Sequence, residues 1–557
     1  MTLIIKKTFL FFLLFALLSS IIIMASVPPV GRDELTHHLA VPKLYIQKGG
    51  IHELPDVTPS YYPQLLDLIY CIPLIFNNDI VPKYIHFSFA LFTSLLIFIF
   101  LKEKINPFYG LLGAIFFLSL PVIVKLSVNA YVDLGLIFFS TASLLCLLKW
   151  QEKQFNFKWL FYSAISCGFA LSTKYNGLIT CFLLTAFIPI IYLKKVGHNQ
   201  IKSISHGICF FLIATAIFSP WMIKNYIWTQ NPLYPLYDHY FNPETNNSID
   251  GESSEPIMNH FLIRKLIYKE PLIETITIPI RIFFQGEDDN PKLFDGKLNP
   301  LLFFLPIFSV ISLKKSLVEK KDNYKKILFI FSILYILIVF VQQDMRIRWI
   351  GPAIPPLVIL SIFGLNNFFQ YIIPSIIIAL GSVLKPFVKT FSLAFIILIA
   401  GLNAVYILQL FRIIEPIPYL TGQITRSEYI EKFRPEYGVI DFANKNLSGE
   451  VKIFAFFLGN RRYYSNHEIS FNYSQLKHLV QNSKTAAEIF QGLKKLQYSN
   501  LIINDRQFYA WLNIEFNKEE KRRVNEFLYQ YTKLLFSKNE HGLYELSLSA
   551  KEPLSNR

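Results

Sequence analysis

Long apolar runs separated by short basic turns fill the chain up to about residue 411, and shorter, mixed segments fill the rest. The first run, FLFFLLFALLSSIIIMASVPPVG at 8–30, holds about twenty apolar positions, enough to cross a hydrocarbon core. Further runs predict spans at 81–101, 108–126, 131–149, 158–174, 176–193, 204–224, 298–313, 326–342 and 350–368. The stretch 371–411 holds either one span at 390–411 after a re-entrant piece, or two spans broken at Lys385–Lys389. The pattern therefore predicts a multi-span α-helical integral membrane protein with about 11 spans, or 12–13 where 371–411 is divided.

Between the first two spans, ELTHHLAVPKLYIQKGG has apolar positions at three- and four-residue spacing. Leu35, Leu39, Leu44 and Tyr45 could form one face of a helix lying on the membrane surface. TPSYYPQLLDLIYCIPLIF predicts a second surface segment opened by turn residues. Residues 31–80 thus form a first outer loop, and 225–297 a larger one in which HFLIRKLIYKEPLIETITIPIRIFF predicts one or two surface helices.

From about 412 the pattern changes. VKIFAFF, NLIIN and GLYELSL read as strands, KTAAEIFQGLKKL reads as a helix, and EEKRRVNEFLYQYTKLLF precedes the last of the strands. Strands alternating with helices predict a C-terminal soluble α/β domain over 412–557, beside a membrane domain over 1–411.

Composition agrees with this division. The chain is 53% hydrophobic, 17% charged and carries 53 Phe. Its formal charge of +15 would suggest nucleic acid as a partner, but the excess lies in turns such as Lys102–Lys104, Lys149–Lys158, Lys194–Lys202 and Lys314–Lys326. That is the bias of cytoplasmic loops, so the charge reads as topology and membrane lipids as the surroundings. The turns at 102–107, 150–157 and 194–203 then lie inside, and 126–131 and Lys174–Asn176 outside. The five cysteines lie in or beside apolar segments and suggest neither a disulfide framework nor a thiolate zinc site. The opening run is longer than a cleaved signal's apolar region and reads as an anchor.

Candidate chemistry gathers at one membrane face. Lys6 and Lys7 hold the N-terminus in the cytoplasm, so Asp33 and Glu34 of GRDE emerge on the far side. Acids at that depth are costly unless they have a task, or cap the helix that begins near Leu35. Asp133 stands at the outer end of the fourth span, as a site residue or a helix cap. Lys174, Arg346 and Arg348 stand at outer ends too, where cations grip phosphates or snorkel to headgroups. Lys224 and Arg281 are further candidates of this kind. His37 and His38 point in different directions on a helix and read as interfacial histidines without a metal. Tyr61, Tyr62 and Tyr234 could contact a sugar or acceptor, or anchor the interface. GNRRYYSNHE at 459–468 could bind an anionic or carbohydrate acceptor, or be a plain turn.

GRDELTHHL, YYPQLL, SVNAYVDLGLIFFSTASLL, GFALSTKYNG and SPWMIKNYIWTQNPLYPLY follow one another in a pattern that resembles the GT-C glycosyltransferases. Bacterial aminoarabinose transferases and protein O-mannosyltransferases are the most similar members, chiefly over residues 1–240. The resemblance implies a GT-C fold, an acidic pair in the first outer loop and a second acid opening the fourth span. It implies a polyprenyl-phosphate-linked sugar as donor and an unknown extracytoplasmic acceptor: a glycolipid or lipopolysaccharide, a surface polymer, or a protein. Such a donor already carries a good leaving group, so the harder task is removing the acceptor's proton. Asp33, its pKa raised by partial burial, would be that base. Glu34 would orient the acceptor or help hold a divalent metal, Asp133 would face the same cavity, and Lys174, Arg346 and Arg348 would receive the lipid phosphate. The chain departs from aminoarabinose transferases at PSYYPQLL, which lacks their acid and lysine; Glu53 or Asp56 could supply the carboxylate. A transporter or lipid-carrier flippase is the alternative function, but no internal repeat accompanies the spans. A third reading is a non-catalytic assembly component whose tail binds a partner. The basic turns point to a bacterial inner membrane, with the site on its extracytoplasmic face.

Overall fold

A computed structural model describes residues 3–197, 199–243, 260–310, 323–372 and 385–547. Seven of its helices are long and apolar enough to cross a membrane, or eight if one bent pair counts as a span. They include Val81–Lys104, Asp133–Glu152, Gly177–Val196 and Gln200–Thr229. The predicted span at 158–174 is the helix Phe157–Thr173. That at 298–313 coincides with Leu301–Val310, its last residues lying outside those described. Lys385–Ile414 is one continuous helix through the predicted break, while 373–384 lie outside the described residues.

Local chemistry accounts for the boundaries. Asn106 and Asn156 cap the helices that follow them, their side-chain oxygens accepting backbone N–H bonds. The predicted span at 108–126 is not straight: Pro107–Ser119 and Pro121–Ser127 meet at 67°. Pro121 pushes Leu120 into an extended conformation (φ −60°, ψ 133°), which a helix interior does not allow. Where 301–310 crosses 354–367 the backbones nearly touch. A Cβ on Gly364 would lie 1.8 Å from the Leu305 carbonyl oxygen, so only glycine fits.

The loops sort by end of the bundle. Lys104 bonds Glu152 (2.5 Å), Lys149 pairs with Glu103, and Lys195 donates to the Gln151 carbonyl, so the three basic turns predicted to share one face do share it. At the other end, the 126–131 turn, residue 174 and residues 346–348 gather under the first loop.

That loop differs from one amphipathic helix. Glu34–His38 is a π-helical turn, and the α-helix starts only at Ala40, running to Gln47. The π turn rotates the acids away from the face that Leu35, Leu39 and Tyr45 bury. Leu65–Ile75 forms the second surface helix. In the large loop the expected surface helices are three short ones, His260–Leu266, Leu272–Ile276 and Ile278–Arg281. Arg264, fully buried, ties them to the bundle through Asp344 at 2.8 Å.

The C-terminal region carries a five-stranded sheet, β1 (Lys452–Phe456), β2 (Glu468–Ser470), β3 (Asn500–Asn504), β4 (Thr532–Lys538) and β5 (His541–Leu546). Their spatial order is β2-β1-β3-β5-β4. β1 runs parallel to β2 and β3, while β5 is antiparallel to β3 and β4. Phe454, Phe456, Leu501 and Ile503 pack on helices Tyr473–Asn482, Ala486–Lys495 and Lys518–Tyr531. Ile453, Ala455 and Ile502 pack on Tyr437–Asn446 from the opposite face. Burial on both faces explains why these strands read as unbroken apolar runs.

Candidate active site

Two ion pairs from four separate elements form the centre. Arg348 Nη1 donates to Asp33 Oδ2 at 2.6 Å, and Lys174 Nζ donates to Asp133 Oδ1 at 2.7 Å. Arg348 also has the Asp133 carboxylate among its electrostatic neighbours, and its guanidinium lies over the Tyr131 ring, 5.6 Å from the centroid. The pairs therefore join one charged cluster. Asp133 is buried at the first position of its helix, and its second oxygen, Oδ2, has no hydrogen-bond partner. An unmatched buried carboxylate oxygen is costly, which makes the Lys174 partner of the other oxygen the more important.

Electrostatics revises one expectation. Burial does push the Asp33 carboxyl upward, but the Arg348 charge and hydrogen bond outweigh that and hold it well below the carboxylate range. Asp33 is thus ionised rather than poised near neutrality. His37, half-buried beside Asp33, Arg348 and Lys174, is held neutral because burial and its cationic neighbours lower its pKa.

Glu34 takes a different place from its neighbour. It is fully buried, and its carboxylate accepts from Gly31 N (2.7 Å) and Ala130 N (2.6 Å). Both oxygens are spent joining the first loop to the 126–131 turn, so Glu34 does not line the cavity with Asp33. His86, which sequence reasoning missed, braces the same turn. Its Nδ1 lies 2.8 Å from the Asn129 carbonyl and its Nε2 accepts from Leu134 N at 2.9 Å. Nothing in the sequence around it distinguishes His86 from any other histidine in an apolar helix.

A cavity of about 290 Å³ opens beside Asp33 and Arg348. Arg346 lines it and pairs with Asp295 at 3.4 Å. Its other walls carry Arg32, Lys125, Asp288 and Asp289, also missed; Lys125 bonds Asp289 at 3.1 Å and Tyr406 donates to Asp288 at 2.6 Å. The acid-rich QGEDDNPKLFDG at 285–296 was the available signal. Asp133 and Lys174 lie behind Arg348 rather than in this wall.

Tyr61 is buried against Tyr234 (4.7 Å between centroids), with its hydroxyl on Glu53 at 2.6 Å, while Tyr62 is exposed next to Tyr175. Lys224 donates to the Ser60 carbonyl at 2.7 Å, and His38 meets the buried Asp67 at 2.9 Å. A lysine and two acids thus do stand around the 58–67 segment, supplied mostly from elsewhere in the chain. Arg281 is taken up by Glu270 and does not join the cavity. Among the described residues no three His, Cys, Asp or Glu side chains come together as a metal would require. Asp33 and Glu34 are engaged by Arg348 and by backbone amides, so this donor set does not fit a divalent ion.

The model of the dolichyl-phosphate-mannose-protein mannosyltransferase family matches residues 80–230, the segment that carries His86, Asp133 and Lys174. No curated protein matches the chain by sequence. The apo structure of ArnT from Cupriavidus metallidurans is 12% identical with a TM-score of 0.55, over 97% of this chain and 98% of that one. ArnT from the same organism bound to undecaprenyl phosphate gives a TM-score of 0.54 over the same shares, again at 12% identity. The apo Archaeoglobus fulgidus oligosaccharyltransferase is also 12% identical, at a TM-score of 0.46 over 89% and 70%. Residues 80–230 thus match that mannosyltransferase family, and nearly the whole chain shares its fold with ArnT.

Proposed function

We propose that this protein is a membrane glycosyltransferase of the GT-C class, which moves a sugar from a polyprenyl-phosphate carrier to an acceptor outside the cytoplasm, with inversion at the anomeric carbon. The observation that carries the reading is the Arg348–Asp33 pair, a phosphate-binding cation bonded to the candidate base, with Asp133–Lys174 directly behind it. The carrier class is supported by ArnT, whose likeness in fold extends to a structure holding undecaprenyl phosphate. The membrane domain at 1–411 would supply the whole reacting centre. The 412–557 domain would stand on the extracytoplasmic side, in a bacterial inner membrane.

The pairing gives Asp33 a way to be quiet at rest and basic in the complex. A lipid phosphate entering the cavity competes for Arg348 and Arg346, because guanidinium binds phosphate in a bidentate manner. Asp33 is then freed from the charge that depresses it, while the burial that favours its protonated form remains. It takes the proton of the acceptor hydroxyl as that oxygen bonds the anomeric carbon. The carbon–oxygen bond to phosphate breaks on the opposite face, and the electron pair leaves with the polyprenyl phosphate, whose charge Arg348 and Arg346 receive. Asp133, held by Lys174, stands behind Arg348 and adds its negative charge to the field that orients the guanidinium.

The test is release of free polyprenyl phosphate from a panel of polyprenyl-phosphate sugars by purified protein. Wild type should turn over one of them, and Asp33→Asn and Asp133→Asn should each slow release by about a hundredfold or more. Turnover that survives both substitutions removes this site. Labelled carrier that crosses vesicles without losing its sugar makes the protein a flippase.

A further inference from the structure

The C-terminal domain touches the acid-bearing loop at several points, and one of them falls on the turn between Asp33 and His37. The backbone N–H groups of Arg462 and Tyr463 both donate to the Leu35 carbonyl, at 3.0 and 3.1 Å. Tyr464 donates its hydroxyl to the Pro29 carbonyl at 2.7 Å, on the other side of the acids. Lys43 reaches back from the first loop to the Tyr463 and Ser465 carbonyls, each at 2.8 Å. Asp79, buried, then takes both Arg426 and the Tyr463 hydroxyl. These bonds hold the loop from Pro29 to Lys43 at three points, through residues about 400 positions away in sequence.

A plain interdomain contact does not need this arrangement. Leu35 sits inside a π-helical turn, where the helix ladder is irregular and its carbonyl is available to a partner outside the helix. Interfaces between domains of one chain are by default mobile, unless specific bonds fix them. Here the bonds go to backbone atoms of the loop itself, and their effect is to fix its path rather than a side chain's.

We infer that the 459–466 loop of the C-terminal domain is a positioning element of the reacting centre, holding the Pro29–Leu39 segment so that Asp33 stays in register with Arg348. Tyr464, Arg426 and Lys43 are its positioning residues; none of them touches the reacting atoms. The inference rests on the transferase reading for its consequence in turnover, but not for the clasp itself. Register is the property at stake, since misplacing a reacting group by about 1 Å can cost about a hundredfold in rate.

Two measurements on the full-length protein test it. In the double variant Tyr464→Phe/Arg426→Gln, amide hydrogen exchange over residues 29–39 should quicken about tenfold, as a released segment does. Exchange over β1, β3 and β5 should stay as in wild type. The kcat for release of polyprenyl phosphate should fall about tenfold with KM for the carrier sugar within about twofold, the signature of lost alignment rather than lost binding. Arg426→Lys alone keeps the charge beside Asp79 and should restore both readouts. Arg522→Gln, on the far helix Lys518–Tyr531, should move neither. Unchanged exchange over 29–39 overturns the clasp. Faster exchange with kcat intact overturns its role in catalysis. Should wild type show no transfer at all, the exchange result still decides whether the clasp exists.

Discussion

The two sides of the cavity use the same chemistry and differ in burial. On the inner side Asp33–Arg348 and Asp133–Lys174 are largely sheltered, with side-chain exposures of 21% and 16%, and 1% and 23%. On the outer side Lys125 pairs with Asp289, which is 86% exposed, and Arg346 with Asp295 at a longer 3.4 Å. Exposed pairs are screened and contribute little, whereas a buried pair has lost its water and depends on its partner. Under the proposed function, a substitution at the inner pairs should change both stability and reactivity, and one at the outer pairs should adjust substrate capture.

The largest effect should come from Lys174→Met. It strands a fully buried carboxylate that already has one unmatched oxygen, so we expect a loss of about 3 kcal/mol in stability, read by thermal unfolding in detergent. Lys174→Met/Asp133→Leu should regain most of that stability and none of the transfer activity. A double variant no more stable than the single one would mean that Asp133 is not the stranded group.

Arg348→Gln comes next, and its clearest sign is in pH. In wild type the Asp33 carboxyl is depressed below its ordinary 3.8, so the pair's contribution to stability is complete above that value and is lost only as pH falls through the lower folded value. The acid limb of kcat/KM should not reflect Asp33 anywhere near neutrality. Without Arg348, burial is the dominant influence and raises the carboxyl, so an acid limb should move upward by about one pH unit or more. An unmoved limb would detach Asp33 from proton transfer.

Much of this site could be seen in the sequence, because each expected charge borders an apolar run. Asp33, Asp133, Lys174, Arg346 and Arg348 stand out as charges at the ends of spans, and the structure gathers them at one end of the bundle. Their pairing was not legible. Arg348 and Asp33 are 315 positions apart, and only the helix packing decides that they meet. Glu34 shows a different limit. Being next to Asp33 suggested a shared task, yet the π turn sends its side chain to backbone amides instead. The sheet was visible where apolar strands are set off by turns, as at 451–457 and 500–504; three-residue β2 offers too little pattern, and β4 was missed because it follows the helix Lys518–Tyr531 without a break. The contacts of GNRRYYSNHE were hidden for the same reason as the ion pairs, since its partners lie in the first loop.

On the outer side the effects should shrink. Arg346→Gln removes a cavity cation held by a longer, 3.4 Å pair, so KM for the carrier sugar should rise about tenfold with kcat nearly unchanged. Lys125→Gln should do less still. Its partner Asp289 faces water, Asp288 is 3.8 Å away and keeps its bond from Tyr406, and Arg32 remains at the same rim. Loss of one screened charge among four cavity cations should alter carrier KM by less than about twofold at physiological salt, and by more at low salt, where the Debye length exceeds the cavity. The salt series is the discriminating measurement. A Lys125→Gln defect that persists unchanged at high salt would mean that this lysine touches the bound phosphate directly. The outer wall would then belong to the reacting centre rather than to the path leading into it.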